Sequence, residues 1–257
     1  MTDAPSKTIA ELASFGPFFV VESHPVAAAP SGAWRPLAEL VDDPDALPGR
    51  VLSVRAALAT AAGREPDAIE LRVAASVTQL GLVARVLSPA LAVAVISGQI
   101  LDVELTRLWW QPELGGGFPL SVPDAFRPYG EREISIERDI ANVVRRLGDV
   151  VLERMAASLV TAVSSAFSVS EQVLWGNVAS AINGAATMIC RQRPSLTAQT
   201  GVIAAGLLGR APFNLRNPVL GTSFRRNSCC LIYRVAPRAD GRTTPGALCG
   251  DCVLTGR

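Results

Sequence analysis

Four of the five cysteines fall within the last 29 residues: Cys229 and Cys230 side by side, then Cys249-Gly250-Asp251-Cys252 after 18 intervening residues. If these thiols serve one centre, the C-terminal segment has to turn back on itself, and neither a plain helix nor a plain strand satisfies that. A disulfide framework is excluded, because such frameworks staple small exported chains that lack a sufficient core. Here 257 residues, 49% of them hydrophobic, build a core unaided. Met1 to Glu11 is polar, with no basic stretch leading into an apolar one, so no secretory signal is expected and the chain is expected to be cytoplasmic. In a reducing compartment, clustered cysteines point to metal or redox chemistry.

The spacing narrows the chemistry. Two residues between Cys249 and Cys252 let both sulfurs converge on one metal or one cluster edge, and Gly250 permits the turn. A vicinal pair such as Cys229-Cys230 is unusual for structural zinc, which prefers two to four residues between paired ligands. The wider-set ligand positions of a two-iron cluster accommodate neighbours more easily. A four-cysteine zinc site, a Cys249/Cys252 dithiol pair and four unrelated cysteines are the competing readings. Cys190, beside Met188 and Ile189 on an apolar helix, reads as a small buried hydrophobe. His24 is the single histidine and reads as a loop residue, so a cluster ligated by two histidines is excluded. No Gly-x-Gly-x-x-Gly follows a strand, so no dinucleotide site is expected. The net charge of +1 gives no reason to invoke nucleic acid.

Hydrophobic periodicity predicts a mainly α fold: an α-rich α+β helical globule with one or two small β-hairpins and a C-terminal metal-binding segment. Helices are expected over Thr8–Ser14, Pro48–Ala62, Pro66 to about Leu87, Ser135–Phe167, Val173–Ile189, and Pro194 to about Gly209. Phe15–His24 reads as an apolar strand-like run. Gly98–Trp110 and Phe118–Val122 read as a hairpin turning at Gly115-Gly116-Gly117, with Trp109 and Trp110 facing opposite ways. The longest apolar stretch, Val73–Ile96, is interrupted by Gln79, Arg85 and Pro89; Ser88-Pro89 is expected to split it into a buried helix pair, so no membrane span is expected. A seam is expected in the proline-rich loop near residues 112–132. The division expected is 1–224 as a substrate- or partner-binding domain and 225–257 as the cluster-binding segment.

The run Arg226 to Arg234, with its adjacent cysteines and following Tyr-Arg, together with Cys249-Gly-Asp-Cys252, resembles the C-terminal signature of the FhuF-type ferric siderophore reductases. Leu174-Trp175-Gly176-Asn177-Val178-Ala179 is similar to a Trp-bearing helical segment of that family. The resemblance covers about the last tenth of the chain. It implies one [2Fe-2S] cluster held by Cys229, Cys230, Cys249 and Cys252. The implied activity is one-electron reduction of a ferric siderophore, with an external donor of ferredoxin or flavoprotein type. The 18-residue linker is longer than the family's and reads as an exposed loop, carrying Pro237, Gly241, Pro245 and Gly246. Lengthening a loop costs only about 0.6 kcal/mol per doubling, so the centre is expected to tolerate it. Arg225, Arg226, Arg234 and Trp175 are the candidate substrate-binding residues; ordinary ion pairing for the arginines and core packing for the indole are the alternatives. At the level of function the alternatives are a siderophore- or partner-binding protein with a structural four-cysteine site, and an electron carrier for another oxidoreductase.

Overall fold

The computed structural model describes residues 4–124, 136–235 and 248–254. The chain is mainly helical, with one small four-stranded sheet. In order, the elements are α1 (Ala4–Leu12), β1 (Glu22–His24), β2 (Arg35–Pro36), α2 (Glu39–Asp42), α3 (Ala46–Ala61) and α4 (Leu71–Ser97). They are followed by β3 (Trp109–Trp110), β4 (Leu120–Pro123), α5 (Ile136–Gly148), α6 (Ala157–Phe167), α7 (Glu171–Gln192) and α8 (Thr197–Leu208). A π-helical stretch, Asp149–Ala156, joins α5 to α6.

α4 and α7 pack against each other more extensively than any other pair and form the axis of the core. α4 is uninterrupted over 27 residues. An interior proline costs about 3 kcal/mol, yet Pro89 stays in the helix because α4 is buried on nearly every side around it, from Leu82 to Val95. The Ser88 hydroxyl donates to the Ala84 carbonyl at 2.6 Å, and Gly98, in the left-handed conformation, ends the helix. The expected break at Ser88-Pro89 is therefore absent, and the expectation of no membrane span is corrected with it. Three segments, Leu71–Ser97, Ile140–Phe167 and Glu171–Gln192, are long and apolar enough by length and composition to cross a membrane. The π-helix contributes to the second of these by carrying the backbone from α5 into α6 without interruption. In the protein, 72%, 39% and 56% of their most apolar windows are buried.

The sheet has the order β1-β4-β3-β2. β3 and β4 form the expected hairpin, with Trp109 opposite Ser121 and Trp110 opposite Leu120, but Gly98–Leu108 adds no strand to it. Trp110 is buried and Trp109 half-buried, as alternation requires. Of Phe15–His24 only Glu22–His24 is strand, pairing parallel with β4. His24 is thus a buried strand residue rather than a loop residue, with Nδ1 at 2.8 Å from Ser121 Oγ.

Phe15–Phe19 instead turns tightly over α4, held by Arg85. This buried guanidinium donates to the Phe118 carbonyl at 2.8 Å, the Phe18 carbonyl at 3.0 Å and the Val20 carbonyl. It thereby fastens two loops to the central helix. The proline-rich seam lies partly within residues 125–135, and the prolines and glycines of the linker within 236–247; both ranges are outside the described residues.

Candidate metal centre

The C-terminal segment returns to the α4–α7 axis over a buried polar cluster that these two helices carry between them. Asn177 on α7 is fully buried and donates through Nδ2 to Gln79 Oε1 at 2.9 Å and to the Ser76 carbonyl at 3.0 Å. Its Oδ1 accepts from Arg226 Nη2 at 2.5 Å. Ser76 Oγ in turn donates to the Cys230 carbonyl at 2.9 Å. Asn177 therefore links both helices to Arg226, ahead of the vicinal cysteines, and through Ser76 to Cys230 itself. Backbone at Gly176, one residue earlier, leaves the room: a Cβ there would fall 2.1 Å from Ser228 Oγ and 3.0 Å from Arg226 Nη2.

A backbone N–H from the residue two positions ahead faces each of the four C-terminal cysteines, and two of them form hydrogen bonds. Leu231 N–H donates to Cys229 Sγ and Leu254 N–H to Cys252 Sγ, both at 3.3 Å. The Ile232 and Asp251 amides favour the ionised forms of Cys230 and Cys249. The turn after the vicinal pair is made by Leu231, whose φ of +70° is rare for a bulky residue. Gly250, by contrast, does not adopt a positive φ, and the turn between Cys249 and Cys252 closes through Cys252 N–H donating to the Cys249 carbonyl at 3.1 Å. The two halves are joined by Arg226 N–H donating to the Asp251 carbonyl, also at 3.1 Å.

The thiols feel one another across these turns. Cys249 hydrogen-bonds to Cys230, which lowers the acidity of Cys249 and raises that of Cys230. Cys229 is pushed up chiefly by burial, with Cys252 and Cys249 among the groups around it. Among the described residues, no group of three or more His, Cys, Asp and Glu side chains already has the geometry of a metal site.

Arg226, only 2% exposed, is the cation common to these surroundings, and its Nε is buried without a hydrogen-bond partner. A buried guanidinium donor left unpaired is costly. It would be satisfied by negative charge gathered on the thiolates and whatever they bind. Backbone N–H donors to sulfur are a principal means of stabilising cysteine-ligated iron–sulfur clusters. Both features are ones a four-cysteine cluster would draw on, although the described thiols are not themselves grouped as a metal site.

Of the expected substrate-binding residues, Trp175, Arg225 and Arg226 line one cavity and Arg234 lies apart from it. Arg225 is exposed and donates to the Thr222 and Phe224 carbonyls at 2.8 and 2.7 Å. Arg234 ties the segment to the start of α4, with Nη1 at 2.6 Å from Glu70 Oε1. That bond and the Glu70–Arg72 pair hold the Glu70 carboxyl below its ordinary range, Arg72 having the larger effect. Trp175 is half-buried, edge-on to Phe213 at 5.8 Å, in a cavity of about 380 Å³ that also meets Arg225 and Ser228. Cys190 is half-buried and separate. Cysteine spacing gives no pointer to Ser76, Gln79, Gly176 and Asn177 as supports of the site; the Gly176-Asn177 step on an otherwise apolar helix is the local signal. A scan against protein-family models matches none, and a search of the curated proteins finds no match.

Proposed function

We propose that the protein is a ferric-siderophore reductase of the cytoplasm in which Cys229, Cys230, Cys249 and Cys252 hold a [2Fe-2S] cluster. The observation that carries this reading is the i+2 backbone N–H facing each of the four sulfurs, hydrogen-bonded at 3.3 Å for Cys229 and Cys252, around a buried Arg226 with one unsatisfied donor. When bound, such a cluster supplies a one-electron donor of tunable potential.

The chain's own residues do the rest. The four amides and Arg226 favour the ionised sulfurs by hydrogen bonding and charge. Asn177 and Ser76 fix the two arms of the segment, and α4 and α7 keep water from its inner side. Iron leaves its chelator because Fe3+ is held far more tightly than Fe2+. One electron therefore suffices, and no covalent bond of the chelator forms or breaks. The electron comes from an external protein donor of ferredoxin or flavoprotein type.

The test is the visible and EPR spectrum of anaerobically purified protein, before and after dithionite, with iron, sulfide and zinc quantified. Two irons and two sulfides per chain with a rhombic signal on reduction are expected. A colourless protein holding one zinc would overturn the reductase in favour of a structural site.

A further inference from the structure

A groove of about 490 Å³ runs from the N-terminal turn to the cysteine segment, and Cys249 forms part of its wall. Phe15, Phe18 and Met188 flank it, and small residues of the two central helices, Ala84, Ala181 and Gly184, leave it open. Polar groups gather at the cysteine end, where Arg226 and Asp251 contribute one positive and one negative group. The volume lies in the range of small-molecule sites.

Resting on the reading of the four cysteines as a redox centre, we propose that this groove selects neutral ferric chelates bearing an aromatic arm, and that the arm lies along α7 while the iron sits at the Cys249 end. Three features carry the choice. The Phe18 ring and the Met188 thioether, with Phe15 buried behind them, favour a ring as occupant through edge and sulfur contacts. The body of the groove offers few polar partners, so a hydrophilic chelate would lose hydration without replacement there. The opposite charges of Arg226 and Asp251 offset each other, so a multiply anionic chelate would enter an apolar groove without net compensation. Ferric iron with three monoanionic hydroxamates is neutral. The step remains one electron in and Fe3+ to Fe2+, with the electron from the external donor and the chelator unchanged.

The discriminating probes are gallium(III) tris(benzohydroxamate) and gallium(III) tris(acetohydroxamate). They share charge and donor atoms, resist reduction, and differ in bearing a phenyl or a methyl group. Isothermal titration of the purified holoprotein is expected to show the benzohydroxamate complex binding at least tenfold tighter. Gly184→Phe is the blocking variant, since a Cβ at Gly184 meets nothing within 4 Å and the new ring can enter the groove without displacing backbone. It is expected to erase the difference, while Gly184→Ala keeps it. Equal binding of the two complexes by the native protein, or a preference unchanged in Gly184→Phe, overturns the proposal. Stopped-flow oxidation of the reduced protein by the two ferric complexes separates the inferences. A binding preference without electron transfer supports the groove and sinks the reductase. Equal binding and equal rates with both complexes sink the groove and leave the reductase standing.

Discussion

Asn177 Oδ1 accepts from Arg226 Nη2 at 2.5 Å, at a point where the Asn177 side chain is fully buried between the two central helices. The bond joins the centre of the core to the cysteine-bearing segment, and the behaviour of the one is transmitted to the other through it. Asn177→Leu leaves Arg226 Nη2 only its longer bond to the Val173 carbonyl at 3.2 Å and removes the donor to Gln79 and Ser76. A loss of about 3 kcal/mol is expected, read as a lower urea midpoint, together with a fall in bound iron per chain.

Gly176→Ala inverts an ordinary rule. Alanine in a helix interior normally gains up to about 1 kcal/mol over glycine. Here the added Cβ would lie 2.1 Å from Ser228 Oγ and 3.0 Å from Arg226 Nη2, so the Ser228 hydroxyl must give up its bond to the Gln172 carbonyl and the buried guanidinium is crowded. Loss of iron and a lower melting temperature are expected. Gly81→Ala on α4 has open space at the same distance criterion and is expected to be neutral or stabilising. Equal behaviour of the two variants would contradict the close approach.

Cys252→Ser is expected to abolish the visible absorbance of the purified protein, and Cys190→Ser to leave it intact. Only the former lies in the hydrogen-bonded segment, through Leu254 N–H. A colourless Cys190→Ser protein would mean that the ligand set is wrong.

Arg85→Met removes the donors to the carbonyls of Phe18, Val20 and Phe118. The Phe118 acceptor is buried and the other two are part-buried, and loss of the three bonds with the guanidinium is expected to cost about 2–3 kcal/mol. Because the same bonds hold the turn bearing Phe18, limited proteolysis is expected to cut within residues 15–21 in this variant first.

His24 is buried, and burial lowers its pKa below the ordinary 6.5. Between 6.5 and its lower folded value the unfolded chain binds the proton and the folded chain does not. Stability therefore falls as pH drops through that window. Urea midpoints from pH 7.5 to pH 5 are expected to show this slope, and His24→Gln to flatten it. An identical slope in the variant would assign the pH dependence elsewhere.

The sequence alone determined the helical class, the β3–β4 hairpin and the segment in which four thiols are concentrated, because each is written in local signals: 3.6-residue periodicity, glycine at a turn, cysteine spacing. It misled where local and tertiary preferences compete. Ser88-Pro89 reads as a break, but burial of α4 outweighs the proline, so the helix runs on to Ser97. Gly250 reads as the residue that makes the cysteine turn possible, but the left-handed residue is Leu231, whose conformation depends on the contacts of the folded segment. The arginines near the cysteines look alike in the sequence. The fold separates them: Arg234 is paired with Glu70, Arg225 is exposed against its own loop, and Arg226 is buried among the thiols with a donor unspent. The partners of Arg234 and Arg226, Glu70 and Asn177, are on distant stretches of chain, and only tertiary structure brings each pair within hydrogen-bonding reach.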